Sequence, residues 1–589
     1  MAGGRHSAPG SGPPHRRRGR ALPNEGRPLA EGEQSAGSID SGRLPNGEGL
    51  QGLGLQIDKQ RKPGKAKHAK RRHRVKWTLG IIGVVVVLLA GAVAGYAWYL
   101  NSQITRIVVK HLVPAPTKGV DVGSQNILLI GSTDRCVLTV QNPAYGLCSQ
   151  GVNGVNSDVV MIAHLNRANH QISLLSIPRD LFVPNARVEG AYKIDAALYE
   201  GPGQLVNAIE EDFGIPIQHF VELNFDSFAN VVNALGGIKM YFPEPVYDAY
   251  SGLDIQTTGC IALNGINALQ VVRARHLQYK PPSVTTDDVD YWPYDPQSDL
   301  ARIRRDHEFL RVLATAVAHQ GLTNPIADAQ LISSVAPQLV VDSGLSTSDM
   351  VDLILAFHGT NAFSVPQLTL SVMVDQFGDY YYQGSDFGDI EFPSEPQDHQ
   401  VIDQFLGVTS NTDTMNGGDL PAPGAVSVSV VDGSGTYDQS ATASALQALG
   451  FDVVGTGETE VAGDEVETLV EYDQATPAVQ AAAQEVAQSL SGQVIMAFAP
   501  TTDGAQVTVV TGTDFAVNQP TPLVPPSTTT TPPVKAKGTE KASTTTTTSP
   551  TPTTTTLPTP QNFSAPTAPV EAFQPWDPRS CTASGGEGP

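Results

Sequence analysis

Arginines in this chain gather beside aspartates in four short clusters: Asp134-Arg135, Arg179-Asp180, Arg273-Ala-Arg275, and Asp299-Leu-Ala-Arg302-Ile-Arg304-Arg305-Asp306. Beyond residue 118 cations are otherwise scarce, and from Val312 to Val534 there is no Lys or Arg at all. A guanidinium presents a planar fork of donors that matches paired phosphate oxygens. Four such clusters in an acidic region predict a polyanion site, with a divalent cation or a proton acceptor supplied by the aspartates. Each cluster also has a plainer reading. Arg179-Asp180 alone is compatible with a surface ion pair. Asp299 suits the start of a helix, and Arg273 and Arg275 suit the end of one, through the helix dipole. The i, i+3 spacing of Asp299, Arg302 and Arg305 predicts one shared helix face, with Arg304 pointing away toward solvent.

Asp134 follows one apolar strand-like run and Asp158 begins another. Adjacent strands would bring the two carboxylates together, and paired oxygen ligands with open positions suit Mg2+ bound to a substrate phosphate. Two solvated loop acids are the alternative. No P-loop, G-x-S-x-G or H-E-x-x-H motif occurs. Gly433-Ser-Gly435 reads as a tight turn rather than an anion-binding loop. The four cysteines lack metal-ligand spacing. Cys136 and Cys148 flank one turn-rich loop and are the candidate disulfide, while the pairing of Cys260 and Cys581 stays open. His164, His170 and His276 read as ordinary core or surface residues.

The elements that must position these residues alternate between strand and helix. Residues 126–131, 158–165 and 171–177 read as buried strands, the last two forming a hairpin that delivers Arg179 and Asp180 to a loop. Helical periodicity covers 204–213, 227–235, 263–276 and 300–320. The expected fold class is α/β, a mixed central sheet flanked by helices, followed by a small α+β domain.

Charge divides the chain further. Residues 1–76 carry 17 Lys and Arg against 6 Asp and Glu, and the remainder carries 20 against 53. The basic part has no aromatics before Trp77, so it gives no support to nucleic-acid binding. Thr78–Leu100 is 23 uncharged, largely apolar residues, long enough to span a bilayer, and aromatic residues stand at both rims. Ten Lys or Arg and no acid lie between Lys59 and Lys76. The positive-inside rule then predicts a single-pass protein of the cell membrane, its N-terminus cytoplasmic and the rest extracytoplasmic. The expected organisation is a disordered basic arm (1–76), a transmembrane helix (77–100), a stalk (101–120), a catalytic domain (121–320) with an extension (321–408), a linker (409–424), a small domain (425–514) and a disordered Pro/Thr-rich tail (515–589).

Six segments taken in order resemble the LytR-CpsA-Psr family: Leu129–Arg135, Ser157–Met161, Ser176–Asp180, Phe225–Gly237, Leu263–Leu269 with Val272–Arg275, and Asp299–Arg305. Val426–Gly435 and Leu446–Phe451 resemble the LytR C-terminal domain. The resemblance implies transfer of a glycopolymer from a polyprenyl-pyrophosphate carrier to peptidoglycan, with a phosphodiester formed and Mg2+ assisting. Carried over by motif, Arg135, Arg179, Arg273, Arg275, Arg302 and Arg305 would bind the pyrophosphate, and Asp134 and Asp158 the magnesium. Arg179 and Arg302 would act on the reacting group, with Asp180 and Asp299 as candidate proton acceptors. One departure stands out, because the family's last motif ends in Arg-Gln and here Asp306 follows Arg305. Hydrolysis of the carrier, or a non-catalytic role in envelope binding or regulation, are the rival readings.

Overall fold

A computed structural model describes residues 101–116, 123–134, 148–150, 154–320, 333–357, 359–374, 379–458, 465–518, 573–582 and 585–588, with Cys136 and isolated positions between 87 and 99. The cytoplasmic arm expected over 1–76 and Arg135 lie outside the described residues, as does most of the apolar stretch Thr78–Leu100. Among the described residues no helix is long and apolar enough to cross a membrane.

The central sheet has seven strands. We label them β1 (Thr105–Ile107), β2 (Gln125–Ser132), β3 (Ser157–Asn166), β4 (Gln171–Ile177), β5 (His219–Asn224), β7 (Val340–Asp342) and β8 (Gln367–Thr369); β6 (Ile238–Phe242) belongs to a separate small sheet. The order across the sheet is β1-β7-β5-β2-β3-β4-β8. β2 is parallel to β5 and antiparallel to β3, so the sheet is mixed. Apolar residues fill β2 without alternation because both faces are covered. Leu128 and Ile130 enter one core with Leu205, Ile209 and Phe213 of helix α1 (Pro202–Phe213). Ile127 enters the core on the opposite face, with Leu129 packed against it.

Three further helices cover that second face: α2 (Phe225–Ala234), α3 (Gly265–Arg273) and α4 (Ser298–Gln320). Asn224 and Asn264 cap α2 and α3, their side chains accepting from the amides of Ser227 and Asn267. α2 and α3 approach so closely that a Cβ on Gly265 would collide with the Ala229 carbonyl oxygen.

The small domain is a five-stranded sheet. Its strands are β10 (Ser427–Asp432), β11 (Asp452–Glu458), β12 (Thr468–Tyr472), β13 (Val494–Phe498) and β14 (Val507–Thr511), in the order β11-β10-β14-β12-β13. Helices α5 (Gln439–Leu449) and α6 (Pro477–Gln488) complete it. It packs on the C-terminal end of α1, where helix carbonyls need outside donors. Tyr472 Oη donates to the Glu211 carbonyl at 3.0 Å, and Gln480 Nε2 to that of Glu210 at 3.2 Å. Thr414, from the expected linker, donates to the Gly214 carbonyl at 2.5 Å, so this part of the linker is packed rather than a free spacer.

Three further expectations need correction. Residues 101–120, expected to be a stalk, contribute strand β1 to the central sheet, where it pairs with β7. The stretch 375–408 reads as irregular from its Gly and Asp content, yet it contains strand β9 (Glu391–Pro393) and a helix, Gln397–Leu406. The region 515–589 is not wholly a disordered tail. Phe515–Val517 pairs with Leu490–Gly492, and strand β15 (Arg579–Ser580) adds to β6. A disulfide joins Cys260 to Cys581 and another joins Cys136 to Cys148. Composition misses this docked end because a few anchoring contacts, rather than a run of apolar residues, hold it.

Candidate functional site

The arginines and aspartates of four chain segments converge where β3 begins and β4 ends. β2 and β3 lose register there: Gly131 pairs with Val159 but Ser132 with Ser157. Asp158 is therefore the extra residue of a β-bulge, which turns its side chain out of the ladder. It accepts a short hydrogen bond from Arg179 Nη1. Pro178 ends β4 and brings Arg179 and Asp180 to the same place. Arg179 also stands 3.4 Å from Asp180 and 3.9 Å from Asp195.

Asp180 links the loop to the helices. Its carboxylate accepts from Arg275 Nη2 at 2.7 Å and from Lys193 Nζ at 3.2 Å. Arg275, just beyond α3, is paired through Nε with Asp299 at 2.9 Å. Asp299 in turn accepts from Arg302 at 3.1 Å, and Arg302 lies 3.9 Å from Asp306. Arg179, Asp180, Arg275, Asp299 and Arg302 thus form one continuous ion-pair chain. Burial would raise the Asp180 pKa, but Arg179, Arg275 and Lys193 outweigh it and hold the carboxyl below its usual range.

Three carboxyls around this chain behave in the opposite way. Burial is the largest cause for each, pushing Asp195 up to about 7, and Asp306 and Glu391 up to about 8. Asp306 and Glu391 are thus largely uncharged at neutral pH. The retained protons leave the cluster of Arg179, Lys193, Arg275 and Arg302 richer in cations than a count of acids implies. The acid at 306, where the resembling motif carries Gln, is buried and pushed toward its neutral form.

The Arg273 guanidinium lies over the Phe225 ring, 4.6 Å from the centroid. Arg305 is corrected. It is wholly buried on the far side of α4, bonded to Asp295 at 3.1 Å and to the Ala274 carbonyl. Two successive i, i+3 steps accumulate about 120° around a helix of 3.6 residues per turn, so Arg305 cannot share the face of Asp299. Arg304 is not solvated either; it is 3% exposed and bonded to Asp577 at 2.6 Å.

The carboxylates proposed for magnesium, Asp134 and Asp158, lie at the adjoining ends of β2 and β3. Asp134 Oδ1 accepts from the Cys136 amide at 3.0 Å. Among the described residues no group of three or more His, Cys, Asp or Glu side chains could hold a metal ion. The donor set is nevertheless all oxygen, as magnesium requires, and Asp158 already holds a cation in Arg179.

An apolar cavity of about 190 Å3 opens beside the charges. Its floor is Leu129, Val159, Met161 and Val221 of the sheet, and its walls are Phe228, Val232, Leu269 and Phe309 of α2, α3 and α4. Asp158, Arg273 and Asp306 also line it. Apolar walls with a few convergent charges are the usual form of a ligand site. Lys193, Asp195 and Glu391 were missed in the sequence. Lys193 is the only lysine between Lys118 and Lys239, a rarity of the kind that drew attention to the arginines. Glu391 carries no local signal, because it reaches the site through the hydrogen bond that its backbone N–H donates to the Asp180 carbonyl at 3.0 Å.

Residues 109–389 match the LytR_cpsA_psr family, and residues 425–515 match the family described as LytR cell envelope-related transcriptional attenuator. The chain is 32% identical over 307 residues to the probable cell wall biosynthesis protein LcpB of Corynebacterium glutamicum, a match covering 51% of this chain and 66% of that protein. It is 28% identical over 222 residues to the polyisoprenyl-teichoic acid–peptidoglycan teichoic acid transferase TagT of Bacillus subtilis, covering 36% of this chain and 66% of TagT. The chain thus spans just under two thirds of the length of each of these curated relatives. Among solved structures it resembles a LytR-Csp2A-Psr enzyme from Actinomyces oris, with 22% identity, a TM-score of 0.39, and 52% of this chain and 96% of that one covered.

Proposed function

This chain belongs to the LytR-CpsA-Psr family, and from that premise we propose that it transfers a glycopolymer from a polyprenyl-pyrophosphate carrier to peptidoglycan. The observation that carries the reading is the apolar cavity ending at Asp158, Arg273 and Asp306, beside the ion-pair chain. A lipid tail suits the cavity and a pyrophosphate suits its mouth. The names of the relatives support a cell-wall polymer as the transferred group and peptidoglycan as acceptor.

In the reaction a peptidoglycan hydroxyl attacks the phosphorus that bears the glycopolymer. The bond from that phosphorus to the bridging oxygen breaks, polyprenyl phosphate leaves with that electron pair and takes up the hydroxyl proton, and a phosphodiester forms. Such transfers require positioning and neutralisation of charge more than covalent help. Arg179, Arg275 and Arg302 would supply both. A guanidinium has five donors, so an arginine paired with a carboxylate keeps others for phosphate oxygens. Arg273 stands at the junction of cavity and charges. Asp180, held ionised by three cations, is better suited to orient Arg179 and Arg275 than to take the hydroxyl proton. Asp299 bridges Arg275 and Arg302 and would serve the same end. Magnesium, held by Asp134 and Asp158, would neutralise phosphate charge.

Membrane anchoring by Thr78–Leu100 belongs to the same proposal. The length and flanking charges of that stretch support it, and it would hold the domain outside the cell beside a lipid-borne donor. The test is a transfer assay with a lipid-linked glycopolymer and peptidoglycan. Wild type should give the linked product, and Arg179→Ala and Arg275→Ala should lose roughly 100-fold or more. Glycopolymer phosphate released without linkage would instead establish a hydrolase, and full activity in both variants would refute the site.

A further inference from the structure

Residues 573–582 and 585–588 dock on the back of α4, more than 250 residues from it in sequence, and deliver one buried carboxylate. Asp577 accepts from Arg304 Nε at 2.6 Å and Nη2 at 3.1 Å, and lies 3.9 Å from Arg305 Nη1. With Asp295 it makes a sealed set of two guanidiniums and two carboxylates, none more than 5% exposed. Trp576 stacks on Tyr279 at 3.8 Å and 8°, and its Nε1 donates to Asp295 at 3.1 Å. Strand pairing of Arg579 and Ser580 with Tyr241 and Met240, and the Cys260–Cys581 disulfide, hold the segment in place.

A hydrogen bond from Arg305 links the quartet to the site. Arg305 Nη2 donates to the carbonyl of Ala274, the residue between Arg273 and Arg275. Ala274 is also the C-cap of α3 and is itself fully buried. Without Asp577, two buried guanidiniums would share Asp295 alone. An uncompensated buried charge of that kind forces rearrangement or entry of water. Arg304 would lose both hydrogen bonds to Asp577 and Arg305 its pairing at 3.9 Å, and a shift of Arg305 that follows would release the end of α3 that carries Arg273 and Arg275.

We propose that the C-terminal segment is a tethered insert that completes the anion site, with Asp577 acting as a positioning residue for Arg273 and Arg275 through Arg305 and the Ala274 carbonyl. The proposal rests on the pyrophosphate reading of the site. The disulfide keeps the effective concentration of the insert high, so docking does not depend on the intervening chain.

The experiment measures binding of geranylgeranyl pyrophosphate to the full chain, alongside thermal unfolding. Asp577→Asn should weaken binding roughly 10- to 100-fold, the scale of a small misplacement of binding groups, and Asp577→Glu should restore part of it. Arg579→Ala removes a contact that holds the segment to itself, the exposed pair with Glu587. It should lower the unfolding temperature and leave the dissociation constant unchanged. If Asp577→Asn fails to fold, the chain with both Cys260→Ser and Cys581→Ser, which retains every carboxylate, should still bind more weakly than wild type. Equal affinity of Asp577→Asn and wild type would overturn the positioning role and leave the pyrophosphate reading intact. Failure of wild type to bind the probe would overturn that reading, and this proposal with it.

Discussion

Arg275 Nη2 donates to Asp180 Oδ2 at 2.7 Å across a sequence separation of 95 residues. The bond joins the end of β4 to the end of α3, and Arg275 extends it to Asp299 on α4. Three elements are thereby held around one guanidinium. Arg275→Lys keeps the charge but not the fork that reaches both carboxylates. It should lower transfer by about 10-fold or more with little change in unfolding temperature, measured by assay and thermal melt on the same preparation. Lysine supporting wild-type rates would show that charge alone suffices there.

Asp306 and Glu391, pushed up to about 8 mainly by burial, set a pH dependence. Their folded pKa values lie above the usual carboxylate range, so their contribution to stability is full at acid pH and is lost as pH rises toward and through 8. Ionisation also adds negative charge beside the proposed anion site. Unfolding temperature should therefore fall from about pH 5 to about pH 8 and level off above, while donor affinity, which senses ionisation in the folded state, should fall between about pH 7 and pH 9. Glu391→Gln should flatten part of both profiles, and an unchanged slope would count against this assignment.

The cavity wall offers a test of the lipid subsite. Val231 lines it and is only half-buried, so a larger side chain there costs the fold little. Val231→Trp should raise KM for a long polyprenyl donor by about 10-fold or more and affect a short prenyl donor less, because only the long tail fills the narrowed space. Equal effects on both donors would place the tail elsewhere.

Gly265 marks the closest approach of α2 and α3. Its substitution by Ala drives a methyl group into the Ala229 carbonyl oxygen, which is backbone and cannot swing aside. The helices must separate, and overpacking of this kind costs about 1–3 kcal/mol. Calorimetry should show a lower unfolding temperature, and the transfer rate should drop because both helices wall the cavity.

Magnesium dependence separates Asp134 from the arginines. Asp134→Ala should raise the magnesium concentration needed for half-maximal transfer by about 10-fold, with activity recovering at high magnesium. Arg302→Ala should not recover at any magnesium concentration. Identical magnesium curves for Asp134→Ala and wild type would remove Asp134 from the metal site.

Local patterning was enough to read the main strands β2 to β6, the α/β class of the first domain and the existence of the second. Those features follow from apolar runs, capping residues and turns, which act over a few residues and are legible one segment at a time. It also marked Arg179, Asp180, Arg275, Asp299 and Arg302, because guanidinium–carboxylate clusters are conspicuous where cations are otherwise absent. Which arginines stand beside the cavity emerges from the fold alone. The helical step turns Arg305 away from Asp299, and Arg304 and Arg305 find their counter-charge in Asp295 and Asp577. Lys193, Asp195 and Glu391 join the site from distant positions in the same way. Buried charges must be compensated through space, and the compensating group can come from any part of the chain, so no local pattern announces it.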